Sequence, residues 1–280
     1  MKKLLALLLG GIMAVSMAAC SSGQDPASST GTDGSSQAEN SPSQTADSSA
    51  IKVGVVLSTG GLGDKNFNDM TYNGLLKAQE DFGIEFDYVE PQSNSDFVPN
   101  HRMFAESEEY DLIIGLGSDQ IEAIKEVGAD FPDQKFSLVD GSLEQPNVSS
   151  VFTKWQEQTF LTGVIAGLST TSDMDKANKE NTVGVVLGME LPNLMEGVAG
   201  FTAGVRYVNP NCEVLTAVVG NFNDPSKGKE IALSMYNRGA DFVQHIAGAS
   251  GLGVFNAAKE ANRYAFGVGG NQNANEPDYI

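Results

Sequence analysis

Residues 60–69 read GGLGDKNFND and follow, after Ser58 and Thr59, on the apolar run VGVVL at 53–57. A glycine-rich turn between a strand and a helix is a common phosphate cradle, because glycine lets backbone N–H groups approach an anion closely. The spacing here argues against one. A Walker loop needs Gly, four residues, then Gly-Lys-Ser/Thr; Lys65 instead lies between Asp64 and Asn66, and the aspartate opposes a phosphate. A dinucleotide fingerprint needs a third glycine, and Gly61-Leu62-Gly63 is followed by Asp64, Lys65 and Asn66. What the stretch offers is an acid, an amide and an aromatic ring close together. Asp64 and Asn66 can hydrogen-bond an uncharged polar edge. Phe67 can stack on a flat ring, a contact of about 1–3 kcal/mol for a nucleic-acid base. The same types suit a helix start, with Asn66 as its cap and Phe67 in a core. Residue types alone leave both readings open.

The elements that would position these groups alternate. IKVGVVLS at 51–58 reads as a buried strand, and 66–82 as a helix with Phe67, Met70, Gly74, Leu75, Ala78 and Phe82 on one face. FDYVE, DLIIGLG, KFSLVD and NVSSVFT read as further strands, with helices at 99–107 and after Ser118, which is placed to cap DQIEAIKEVGADF. A long helix is expected over 156–169, and then the pattern restarts: VGVVL recurs at 183–187. Helices over 193–207, 226–238 and 252–262 alternate there with strands at 213–219, 241–246 and 264–268. Such alternation with short connections predicts parallel βαβ units. The expected architecture is α/β, with a first lobe at 51–155 and a second mainly at 156–280. Ligands of open parallel sheets sit outside the carboxyl ends of the strands. The loops to watch are therefore 58–66, 115–119, 140–142, 188–193, 220–225, 247–253 and 269–275.

Other chemistry is scarce. His101 and His245 lie in no metal-binding spacing, and Cys212 has no partner once Cys20 is assigned elsewhere. No metal site and no cofactor is implied. Acids are plentiful, but none stands in a recognisable catalytic arrangement, and GASG at 248–251 is not a nucleophile elbow. An enzyme is not expected. The formal net charge of −19 argues against nucleic acid as a partner.

The first residues belong to targeting rather than fold. Lys2 and Lys3 precede an apolar run, and MAAC ends at Cys20. This is a secretory signal peptide over 1–19 with a lipid-modified Cys20. Residues 21–50 are small or polar (Ser, Thr, Gly, Ala, Gln, Asn, Asp, Glu and Pro) without a large apolar side chain, the composition of a disordered tether. Together they predict a monomer anchored by lipid on the extracytoplasmic face of the cell membrane.

GGLGDKNFND resembles the signature of the basic membrane protein family, which includes purine-nucleoside-binding lipoproteins. The resemblance continues through DLIIGLGSDQIEAI, WQEQTFLTGVIAG, NTVGVVLGMELP, GFTAGVRYVNP, NFNDPSKGKEIALSMYNRGADFV, AGASGLGVFNAAKE and YAFGVGGNQN, from residue 51 to 280. It implies a type I periplasmic-binding-protein fold: two Rossmann-like lobes, a hinge and a ligand cleft between them. It also implies a receptor that delivers a nucleoside or related heterocycle, such as a purine base or flavin, to an ABC permease. The alternative is a sensory receptor of the same fold signalling through a membrane partner. By the resemblance Asp64, Asn66 and Phe67, with Asn68, line the base pocket, and Gly248, Ser250 and Gly251 approach the ligand. Ser118, Asp140 and Asn271 are further polar candidates, and Trp155 and Phe222 could be aromatic walls or packing. Two positions depart from the nucleoside-binding pattern: Gly63 and Gly269 stand where acids are usual. An acid at 269 would be expected to grip ribose hydroxyls, so its absence leaves ribose recognition open. Family members also continue beyond NEPDYI with a segment that crosses between lobes, and a chain ending at Ile280 is expected to fold or bind less well.

Overall fold

The computed structural model describes residues 50–280. The signal peptide, the Cys20 lipid site and nearly all of the tether lie outside the described residues. The apolar runs become central strands. β1 (Lys52–Val56), β2 (Glu85–Val89), β3 (Leu112–Leu116), β4 (Phe136–Val139) and β5 (Val148–Val151) form one sheet in the order β2-β1-β3-β4-β5. Every pairing in it is parallel. A parallel sheet is covered on both faces. Here α1 (Phe67–Phe82) brings Leu75 onto one face against Val53, Val55 and Leu57. On the other, α2 (Phe97–Glu106) and α3 (Ile121–Asp130) bring Phe97, Phe104, Ile124 and Val127 against Val56, Ile113 and Leu138.

After α4 (Trp155–Ser169) the plan repeats with β6 (Thr182–Leu187), α5 (Pro192–Val208), β7 (Glu213–Val218), α6 (Pro225–Asn237), β8 (Ala240–Ile246), α7 (Gly251–Ala261) and β9 (Tyr264–Phe266). The second sheet is ordered β7-β6-β8-β9 and is again parallel. Both sheets thus place their first strand between the second and third. That reversal of strand order is the topological switch point, where loops on either side diverge and leave a crevice. The two VGVVL segments are the strands at these switch points.

The apolar face of β6 is closed by α4 and α5, which lie backbone to backbone. Gly163 and Gly167 on α4 face Gly200 and Gly204 on α5. A Cβ at Gly163 would strike the Phe201 carbonyl, and one at Gly204 the Phe160 carbonyl. Only glycine permits that approach. Among the described residues no helix is long and apolar enough to cross a membrane.

Two local expectations fail. α1 does not bury the whole face assigned to it: Met70 is 47 % exposed and Phe82 is 80 % exposed. A helix of this length runs about 24 Å, whereas its five-residue strands span about 17 Å, so the last turn overhangs the sheet. Ser118 does not cap a helix with its side chain. Its residue begins a short 3-10 turn, Ser118–Gln120, and its hydroxyl donates instead to Asn193 Oδ1 at 2.8 Å.

Candidate functional site

The loops leaving the carboxyl ends of the two sheets meet around one cavity. From the first sheet come Ser58, Gly60, Asp64, Asn66, Phe67 and Asn68 after β1, Gly117, Ser118 and Asp119 after β3, and Asp140 after β4. Trp155 at the start of α4 joins them. The second sheet contributes Leu191, Asn193 and Leu194 after β6, Phe222 after β7, and Ile246, Ala247 and Gly248 at the end of β8. The walls are apolar and aromatic, with a few polar groups, the usual make-up of a small-molecule site. No lysine, arginine or histidine is in the lining.

The GGLGDKNFND loop is held by its own aspartate. Asp64 Oδ1 accepts from the N–H groups of Asn66 at 2.9 Å and Asp69 at 3.2 Å. Its Oδ2 accepts from Asn68 N at 2.9 Å and Asn68 Nδ2 at 3.1 Å. The three backbone N–H groups among these open α1 without helical partners. Asp64 therefore organises the turn rather than reaching for a ligand. Asn68 is committed in the same way, since its Oδ1 accepts from Ser58 N at 3.0 Å. With the turn fixed, Phe67 and Asn66 stand in the cavity wall.

Across the cavity, Asn193 on the second sheet's side grips the first. Its Oδ1 accepts from Ser118 Oγ, and its Nδ2 donates to both Asp140 O and Asp140 Oδ2 at 3.2 Å. Asp140 adopts a left-handed backbone with φ of 62°, uncommon for a residue with a side chain. Its carboxylate also receives Thr153 Oγ1 at 3.0 Å and Trp155 Nε1 at 2.8 Å. Burial pushes the Asp140 carboxyl above its ordinary value, and the bonds from Trp155, Thr153 and Asn193 work against that shift. Trp155 is thereby fixed in position through its indole N–H.

Behind the site, a buried glutamine ties the diverging strands. Gln120 Nε2 donates to the carbonyls of Val56, Leu57 and Leu116 at 3.0–3.1 Å, joining β1 and β3 where they part. Its Oε1 meets His101 Nε2 at 2.7 Å. Burial lowers His101 to about 4, so the ring is neutral near pH 7. The second sheet has a matching pair, His245 with Gln272, and burial lowers His245 to about 4 as well.

Four expected contacts lie outside the cavity lining. Ser250 is buried, donating to Asn221 O and accepting from Asp224 N, so it joins two loops. Gly251 lies against the His245 ring, where a Cβ would collide. Asn271 is exposed and accepts from Asn273 N in a turn. Gly269 has φ of 74°, and a Cβ there would run into Asn66 Oδ1. A side chain here would have to displace Asn66 Oδ1 and hold a left-handed backbone, and both favour the glycine. Gly63 is exposed with φ of 90° and open space around it.

Sequence reasoning missed Asp119, Asn193 and Gln272. Asp119 and Asn193 end loops already marked, so topology was the available signal. No pattern in the sequence pairs His101 with Gln120.

Comparison with known proteins bears on the family and the fold. Residues 51–280 match the Bmp family, described as ABC transporter substrate-binding protein PnrA-like. The chain belongs to the Bmp family. An uncharacterized lipoprotein of Pyrococcus horikoshii is 32% identical over 243 residues, covering 82% of this chain and 59% of the relative. The ABC transporter nucleoside-binding protein BmpA of Lactococcus lactis is 31% identical, covering 76% of this chain and 59% of its own length. A crystal structure of an ABC transporter solute-binding protein from Aeropyrum pernix superposes with a TM-score of 0.77 at 32% identity, over 82% of this chain and 65% of that one. The Bmp chain described here thus has the type I fold of periplasmic solute-binding proteins. It spans about three fifths of the length of these two curated relatives.

Proposed function

We propose that this chain is the ligand-binding part of an extracytoplasmic, lipid-anchored ABC importer component. Its two α/β lobes, meeting near residue 155, close on a nucleoside or a related flat heterocycle. The observation that carries the reading is the cavity at both switch points, walled by Phe67, Trp155 and Phe222 and free of basic side chains. Aromatic faces suit a planar ring, and the polar edges suit neutral donors and acceptors. The name of the Lactococcus relative supports a nucleoside as the first ligand to test.

Closure follows from contacts already described. Asn193 bonds Ser118 and Asp140 only when the two halves lie together, so a ligand filling the cavity favours the joined arrangement over a separated one. The joined form is what a permease would receive. Specificity would come from polar groups left unpaired by the wrong solute. Mass spectrometry of the solute released on denaturing freshly purified protein tests this. A nucleoside, purine or flavin is expected; an amino acid or a simple sugar would refute the reading.

A further inference from the structure

Three carboxylates line the cavity, and they differ in what they have left to offer. Asp64 is saturated by the turn it organises. Asp140 is occupied by Trp155, Thr153 and Asn193. Asp119 Oδ2 is shielded from solvent and has no hydrogen-bond partner. A buried polar atom without a partner is rare and calls for a cause. Burial pushes the Asp119 carboxyl up to about 6, opposed only by its own backbone N–H. The folded chain thus carries an unfavourable group in the wall of this cavity.

The position of that group is fixed from both sides. Ser118 before it is tied to Asn193, and Gln120 after it is tied to three strand-end carbonyls. Gly117, with φ of 117°, makes the turn that folds Asp119 back toward its own backbone, leaving no room there for a Cβ. Asp119 therefore sits on a rigid mount at the β1/β3 switch point.

We propose that Asp119 is the specificity-determining carboxylate of the cavity, accepting hydrogen bonds from hydroxyl or amino donors of an uncharged nucleoside and disfavouring its phosphorylated form. The inference rests on the nucleoside reading above. A charged acceptor in a site without basic side chains bonds neutral donors strongly. It repels a phosphate, whose charge nothing in the lining would balance.

The test is calorimetric titration of the wild-type chain, Asp119→Asn and Asp119→Ala with adenosine, inosine, 2′,3′-dideoxyadenosine and AMP, each protein first checked for a cooperative melt. Wild type should bind adenosine at least about a hundredfold more tightly than AMP. Asp119→Ala should weaken adenosine by about tenfold or more. Asp119→Asn should narrow the adenosine-to-AMP ratio by about tenfold, an effect that a merely structural role would not produce. If sugar hydroxyls are the donors, dideoxyadenosine will be insensitive to Asp119; if the ring amino group is, inosine will be. Nucleoside binding that both variants leave unchanged, in affinity and in ratio, overturns the role of Asp119 alone. Wild type binding AMP as tightly as adenosine overturns it even if neither variant folds. Wild type binding no nucleoside refutes the reading beneath it, and this inference with it.

Discussion

Gln272 Nε2 donates to the backbone carbonyl of Lys65 at 3.2 Å, joining residues 207 positions apart. Through this bond the last loop of the second sheet holds the opening loop of the first. The same side chain accepts from Val268 N at 2.8 Å and meets His245 Nε2 at 3.3 Å. It is buried, so each partner would be costly to strand.

Gln272→Leu keeps the volume and removes all three bonds. The expected loss is about 1–3 kcal/mol of stability. The melting temperature should fall by at least about 3 °C, given the usual slope for a domain of this size. Nucleoside affinity should drop with it, because the loop bearing Phe67 loses its cross-link. A melting curve unchanged from wild type would show that the bond contributes nothing.

Phe67→Ala tests the aromatic wall. Loss of a stacking face costs about 1–3 kcal/mol, so affinity for a flat-ring ligand should weaken more than about tenfold. Phe67 is only partly buried and lies at the first position of α1, so the melting temperature should move little. If titration gives an unchanged affinity, Phe67 is a packing residue.

Gly269→Asp asks whether the acid that the family resemblance leads one to expect here can be accommodated. The left-handed backbone and the Asn66 side chain both oppose it. The substitution should lower the melting temperature and weaken binding. A gain in nucleoside affinity would show that the loop can reshape, and that the glycine is not imposed by packing.

The ionisable groups predict opposite pH effects. Asp119 has its folded value raised to about 6 by burial, above the ordinary carboxylate value of 3.8. The folded state then binds more protons than the unfolded state between those values, so the Asp119 contribution becomes less favourable as pH rises through that window. Asp119→Asn should therefore melt higher than wild type at pH 7.5, by about 2–4 °C if ~1 kcal/mol is recovered, and equally at pH 4. His101 and His245 act the other way. Burial lowers both from 6.5 to about 4, so stability is lost as pH falls from 6.5 toward 4. Equal melting temperatures for Asp119→Asn and wild type at pH 7.5 would contradict the burial cost assigned to Asp119.

Much of this fold was legible in the sequence, and the reason is periodicity. Fully buried parallel strands read as unbroken apolar runs, so VGVVL at 53–57 and 183–187 marked both switch points. The helices between them fell within a residue or two of their expected bounds. The site was legible only as a set of loops. Topology says which loops meet, but not which side chains have spare hydrogen-bonding capacity. Asp64 stands in the most distinctive motif, yet it is consumed by the backbone of its own turn. Asp119 and Asn193 sit inconspicuously at loop ends; Asn193 takes its role from contacts across the cleft, and Asp119 from an oxygen left without a partner. The overhang of Phe82 depends on comparing helix length with strand length, which a helical wheel does not do.

The central claim is that the cavity between the two sheets binds a neutral nucleoside or a related flat ring, and titration calorimetry of the chain at pH 7.5 tests it most directly. Adenosine, guanosine or inosine should bind at a single site with micromolar or tighter affinity, saturating one ligand per chain. A cooperatively folded chain that releases no heat with these nucleosides, with free purines or with flavins would contradict it.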